Sequence, residues 1–185
     1  MKKLIFATAI LVLQFGVNAQ EKVKFKFTSI NLVGLLYGQA GTAFQLQTVN
    51  GVSYKTFSGG IGIGMDDYYL KTIPLFFDIR KNFSKNFFAY VDAGMNFPWN
   101  KKDVENKIVI EGTYSKGFYI DAGAGYLINI KKAGKLLFSI GYTEKQIKEN
   151  ADPNVILQPS YPPTHYTNYY KYIFRRLTIK IGLCF

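Results

Sequence analysis

The sequence predicts an all-β chain: an eight-stranded antiparallel up-and-down barrel that crosses a membrane, preceded by a cleavable signal peptide. Three observations predict it. Apolar residues recur at every second position over stretches of about ten residues, the length a tilted strand needs to cross a bilayer. Aromatics are abundant, with 14 Tyr and 16 Phe against 6 Pro in 185 residues, and they gather where those stretches end. Beyond the N-terminus, no segment is apolar for long enough to make a membrane helix.

The chain opens with Met1-Lys2-Lys3, then a nearly unbroken apolar run from Leu4 to Val17. Val17-Asn18-Ala19 places small residues where a signal peptidase reads. This layout is that of a secretory leader, with cleavage expected between Ala19 and Gln20. The run is shorter than the roughly 18–20 residues of a membrane anchor. The expected organisation is a signal peptide over 1–19, a short periplasmic segment over 20–27 and a barrel over 28–185. The single cysteine, Cys184, permits no internal disulfide.

Strands are expected near 28–38, 43–49, 54–65, 71–82, 87–97, 113–129, 135–147 and 169–185. The first is the least regular, because Leu32, Val33, Leu35 and Leu36 fill both faces. Asn50-Gly51 reads as a hairpin dipeptide between the second and third strands. In the fourth, Ile73, Leu75, Phe77 and Ile79 alternate with a face carrying Asp78, Arg80 and Asn82. In the fifth, Val91, Ala93 and Met95 alternate with Tyr90, Asp92 and Asn96. In the sixth, Ile120, Ala122 and Ala124 alternate with Tyr119, Asp121 and Gly123. The last strand ends at Phe185, with Leu177, Ile179, Ile181 and Leu183 in one phase. Short connections alternate with longer ones, the longest being the polar segments 98–112 and 148–168. Asp152-Pro153 and the later prolines of the second are expected to break any strand. Short turns then fall on the periplasmic side and long loops outside.

Periodicity alone does not say which face points inward, and a soluble barrel would also alternate. Two features favour the membrane. The polar faces hold Gly60, Gly62, Gly64, Gly94, Gly123, Gly125, Gly141 and Gly182, costly on a solvated strand but suited to a crowded lumen. Tyr37, Tyr68, Tyr69, Phe97, Trp99, Tyr114, Tyr142, Tyr169 and Tyr170 form one expected aromatic girdle, and Tyr54, Phe83, Phe87 and Phe185 the other.

A C-terminal Phe preceded by alternating apolar residues resembles the signal by which outer-membrane proteins are passed to the barrel-assembly machinery. The order Thr48-Val49-Asn50-Gly51, Ser58-Gly59-Gly60-Ile61-Gly62-Ile63-Gly64, Ile73-Pro74-Leu75-Phe76-Phe77-Asp78-Ile79-Arg80 and Phe88-Ala89-Tyr90-Val91-Asp92-Ala93-Gly94 resembles the porin-like outer-membrane β-barrel proteins of Bacteroidota. The resemblance implies an eight-stranded barrel in the outer membrane. It carries no catalytic or binding residue onto this chain.

The net charge is +11, or +9 once Lys2 and Lys3 leave with the leader. The cations sit at chain turns rather than along one stripe. That distribution points to lipid phosphates and lipopolysaccharide as partners, and away from nucleic acid. Glycines at strict period 2 in 60–64 do not have the spacing of a nucleotide loop. The expected interior charges are Asp78, Arg80, Asp92, Asp121, Arg176 and Lys180. Asp92 and Asp121 invite an acid–base reading, but an eight-stranded barrel is filled by side chains, and buried carboxylates need cations nearby. Arg80 and Lys180 are the expected clamps on that pair, within a structural network.

His165 is the sole histidine. With Ser160 and Glu149 in the same expected loop, it permits a lipid A hydrolase-like triad; a solvated loop residue is the simpler reading. No spacing suggests a metal site, and no cofactor is expected. The preferred function is a non-enzymatic, filled outer-membrane barrel that supports the membrane or meets an unknown surface ligand through its outer loops. Candidate contacts are Trp99, Tyr161, His165, Tyr166 and Tyr169. A lipid-modifying enzyme is the alternative, and a small-solute porin the third reading.

Overall fold

The computed structural model describes residues 24–99, 102–103, 110–130, 134–153 and 168–185. The expected leader, most of the segment that follows it, and Ser160, Tyr161, His165 and Tyr166 lie outside these residues. Ten strands are present among the described residues: β1 (Lys26–Gly38), β2 (Gly41–Tyr54), β3 (Phe57–Asp66), β4 (Thr72–Asn82), β5 (Phe87–Pro98), β6 (Lys102–Asp103), β7 (Ile110–Ser115), β8 (Gly117–Ile130), β9 (Gly134–Pro153) and β10 (Asn168–Cys184).

Eight of them, β1–β5 and β8–β10, form a closed antiparallel barrel in which each pairs with its sequence neighbours. Closure is made by β10 against β1, from Ile30 opposite Cys184 to Gly38 opposite Arg176. Ser29 and Phe185 then exchange two backbone hydrogen bonds of 3.1 and 2.9 Å, so the last residue completes the ladder. No edge is left unpaired in the barrel wall, which is what a strand needs in a medium without water.

Polarity is inverted relative to a soluble protein. Side chains in the outward phase are large, apolar and exposed, among them Phe77, Ile79, Ile140 and Ile179. Those in the inward phase include buried Gln, Asp, Arg and Lys. An apolar exterior around a polar interior is stable in lipid and costly in water, so these strands span a membrane. Leu32 and Leu36, ambiguous in sequence, point inward, while Val33 and Leu35 face out. Lumen glycines act as sockets for rings on neighbouring strands: a Cβ on Gly62 would strike the Phe76 ring, and one on Gly141 would strike the Tyr90 hydroxyl.

Several sequence expectations change. Asn50-Gly51 is not a turn. It lies inside β2, and Gly51 pairs with both Thr28 and Gly60. Extending β2 to Tyr54 gives partners to the first residues of β1, and the chain reverses instead at Lys55-Thr56, with Lys55 at φ 52°. The expected strand over 113–129 is two strands. β7 pairs with the far end of β9, and β8 with its barrel portion. Asp152-Pro153 does not prevent strand formation; Pro153 is the last residue of β9, opposite Ile110. At a strand terminus the missing N–H costs little. Part of the expected loop 98–112 is also ordered, since β6 pairs with β7. The result is a sheet of β10, β9, β7 and β6 that continues past the barrel at the loop end.

Candidate functional site

Among the described residues, the lumen is where the barrel brings ionisable side chains together out of water. Four buried carboxylates, Asp66, Asp78, Asp92 and Asp121, face four buried cations, Arg80, Lys145, Arg176 and Lys180. They divide into three groups along the axis.

At the loop end, Asp66 is fully buried and receives both Lys145 and Arg176. Lys145 Nζ donates to Asp66 Oδ1 at 3.0 Å, to the carbonyls of Tyr68 and Leu70 at 2.7 and 3.0 Å, and lies 3.3 Å from Thr72 Oγ1. The β3–β4 connection is thereby drawn into the mouth. Its Tyr68 N–H donates to Asp66 Oδ1 at 2.9 Å, and the Tyr68 hydroxyl accepts from the Ala40 N–H at 2.7 Å. The Arg176 guanidinium lies over the Tyr68 ring. Tyr68, expected in the outer aromatic girdle, is instead 2% exposed. Tyr69 at φ 62° makes the reversal that lets the segment return to β4.

In the middle, register places Asp78, Asp92 and Asp121 directly across from one another on β4, β5 and β8. Lys180 reaches Asp121 at 2.7 Å and Asp92 at 3.6 Å. Asp121 also accepts hydrogen bonds from the hydroxyls of Tyr90 (2.9 Å) and Tyr119 (3.3 Å). Tyr119 in turn accepts from Gln45 and Gln47 at 3.0 and 2.8 Å. Toward the turn end, Arg80 Nε donates to both oxygens of Asp78, at 3.0 and 2.8 Å. Arg80 therefore clamps neither Asp92 nor Asp121, the partners expected from sequence. Two residues along one strand it meets Asp78 first, and Lys180 alone serves the other two.

Asp66 and Lys145 were absent from the expected set, although their phase was readable. Asp66 continues Gly60, Gly62 and Gly64, and Lys145 continues Gly141 and Thr143. What hid them was their position at presumed strand ends. Among the expected surface contacts, Trp99 is exposed at the end of β5 beside Lys71, and Tyr169 is exposed on β10. Glu149 accepts a 2.7 Å hydrogen bond from Tyr172. Among the described residues no group of His, Cys, Asp and Glu has the geometry to hold a metal.

Fold and lumen together define a membrane-spanning closed β-barrel. No protein-family model matches the chain, and no curated protein does. Among solved structures it is similar to outer membrane protein AlkL, determined by solid-state NMR in DMPC bilayers, at 8% identity over 88% of this chain and 90% of that one, with a TM-score of 0.50. It also matches a product of de novo transmembrane β-barrel design at 15% identity over 85% of this chain and 95% of that one, TM-score 0.42. The designed barrel TMB2.3 matches at 11% over 84% and 92%, TM-score 0.39. At these identities the likeness is one of fold.

Proposed function

We propose that the chain is a non-enzymatic integral barrel of the outer membrane, of the porin-like kind its motifs resemble, that conducts no solute and works through its loop end. One observation carries the reading: Asp66, Lys145 and Arg176 pull the β3–β4 connection across the lumen, where Lys145 is enclosed by four oxygens. A passage there would require separating buried ions, which costs several kcal/mol on the order of a broken buried pair.

The sheet of β6, β7, β9 and β10 beyond the barrel is the surface for a ligand, with Tyr169 and Trp99 as exposed aromatic contacts. The lipid-facing wall and its aromatic ends meet outer-membrane lipid and lipopolysaccharide, and the strand ending at Phe185 meets the assembly machinery. Commitment of Glu149 to Tyr172 speaks for this reading over a lipid-modifying one. The test is reconstitution in planar bilayers. No single-channel steps are expected at any salt concentration; stable unitary conductance overturns the proposal.

A further inference from the structure

Among the described residues the lipid-facing wall is apolar almost throughout, and it departs from that rule in one block on β1 and β2. On the other six barrel strands, the outward phase between the two rims carries apolar side chains or glycine. Charged residues in that phase, such as Lys81, Glu144 and Arg175, stand toward the ends. On β1 and β2 the same phase holds Ser29, Asn31, Thr48 and Asn50. Register sets Ser29 opposite Asn50 and Asn31 opposite Thr48, so the four side chains share one patch.

The patch is not at a rim. Phe27 and Tyr37 mark the two ends of the outward row of β1, and both are exposed. Asn31 lies about 13 Å along the strand from the first and about 20 Å from the second, at roughly 3.3 Å per residue. Asn31 and Asn50 are themselves exposed. Thr48 Oγ1 donates to Asn31 Oδ1 at 2.9 Å. The side-chain N–H groups of Asn31, and both ends of the Asn50 amide, meet no partner among the described residues. Hydrocarbon offers them none, and an unpaired polar group there is costly. An acyl chain lying over the patch leaves that cost in place. A surface that presents donors and acceptors at the same depth removes it.

From this we infer that the β1–β2 face docks a second copy of this chain. A protein inserted in one orientation carries Asn31 and Asn50 at the same depth in every copy. Two copies related by a twofold axis along the membrane normal therefore bring identical patches together. An amide is both donor and acceptor, so a patch of asparagines complements itself. A different protein would need a polar block of its own at that depth. Beside the patch a groove of about 770 Å³ runs over the outer wall, from Asn31 and Thr48 past Val33, Leu46, Ile63 and Ile181. It admits side chains of the partner's wall. Within lipid, such close packing and the hydrogen bonds beside it are what hold spanning segments together. The face lies along the wall and apart from the loop end, so the pairing does not depend on what the loops contact.

The experiment is sedimentation equilibrium of the folded full chain in micelles of pentaethylene glycol octyl ether, over a range of protein-to-detergent ratios. A dimer that dissociates on dilution into detergent is expected. Asn31→Leu/Asn50→Leu removes the amides from both docking faces and should weaken the dimer by roughly tenfold or more, several interchain hydrogen bonds being lost together. Ala122→Leu, on the outward phase of β8 across the barrel, should leave it within about twofold. Folding of both variants is checked by the difference in gel migration before and after boiling. A chain that stays monomeric at every ratio overturns the proposal and leaves the patch to a lipid or to a different membrane protein. A dimer indifferent to the two leucines, or weakened equally by Ala122→Leu, overturns it as well.

Discussion

At the loop end of the lumen one carboxylate, Asp66, is held by two cations and the Tyr68 N–H, and one of those cations, Lys145, also donates to the carbonyls of Tyr68 and Leu70. At the turn end one guanidinium, Arg80, is held by Asp78 and borders a cavity of about 220 Å³ that Lys26 and Lys135 also line. Both ends use the same alphabet of charged side chains. The difference is what the backbone supplies. At the loop end two cations share one carboxylate, and Lys145 also takes the carbonyls of Tyr68 and Leu70, so the β3–β4 connection is drawn onto them. At the turn end Arg80 is held by Asp78 and borders an open cavity.

The largest test of that contrast is Asp66→Asn. It leaves Lys145 and Arg176 buried without a counter-charge, so we expect a loss of about 3–5 kcal/mol in urea unfolding of the reconstituted barrel. The same variant should show conductance steps in planar bilayers, because the β3–β4 connection loses its anchor. A stable, silent Asp66→Asn barrel would mean that the plug is held by Tyr68 and its backbone contacts instead.

Next in size is Lys180→Met. It exposes Asp92 and Asp121 to each other with Asp78 alongside. Asp121 keeps two tyrosine donors while Asp92 makes no hydrogen bond to the described residues. We expect a loss of roughly 3 kcal/mol, partly recovered when Asp92→Asn is added. Additive losses would separate Lys180 from Asp92.

A smaller effect is expected from Arg80→Ala, since the cavity lets water replace part of what is lost. The informative quantity is coupling. Arg80 and Asp78 should couple by about 0.5–3 kcal/mol in a double-mutant cycle, and Arg80 and Asp92 by less. Equal coupling would restore the pairing that sequence phase alone suggested.

That pairing shows where sequence reading reached and where it stopped. Period 2 determined which residues of β4, β5 and β8 face inward, and so identified Asp78, Arg80, Asp92 and Asp121 as lumen groups. It did not determine who meets whom. Partnership depends on register around the closed barrel and on side-chain reach, and only closure of β10 on β1 fixes Lys180 against β5 and β8. Strand ends were legible only in part, because a local turn signal such as Asn50-Gly51 yields to the pairing needs of β1. Tyr68 was misplaced for a related reason: an aromatic at a strand end goes to the membrane interface unless a buried ion draws its backbone inward.

The smallest expected change is the most specific to the turn end. Lys26→Gln/Lys135→Gln removes two charges from a mouth where the described side chains supply no anion but Asp78, and that carboxylate is taken by Arg80. Neither lysine makes an ion pair among the described residues. Their loss should move unfolding stability by no more than about 0.5 kcal/mol. Its sign should be stabilising at low salt, since like charges confined around one cavity repel. Raising ionic strength should then stabilise the natural chain more than the variant, because screening relieves a repulsion that the variant no longer has. The measurement is urea unfolding of both proteins at two sodium chloride concentrations. A loss above about 1 kcal/mol, insensitive to salt, would place these lysines in the same kind of buried network as Lys145, and the two ends would then be built alike.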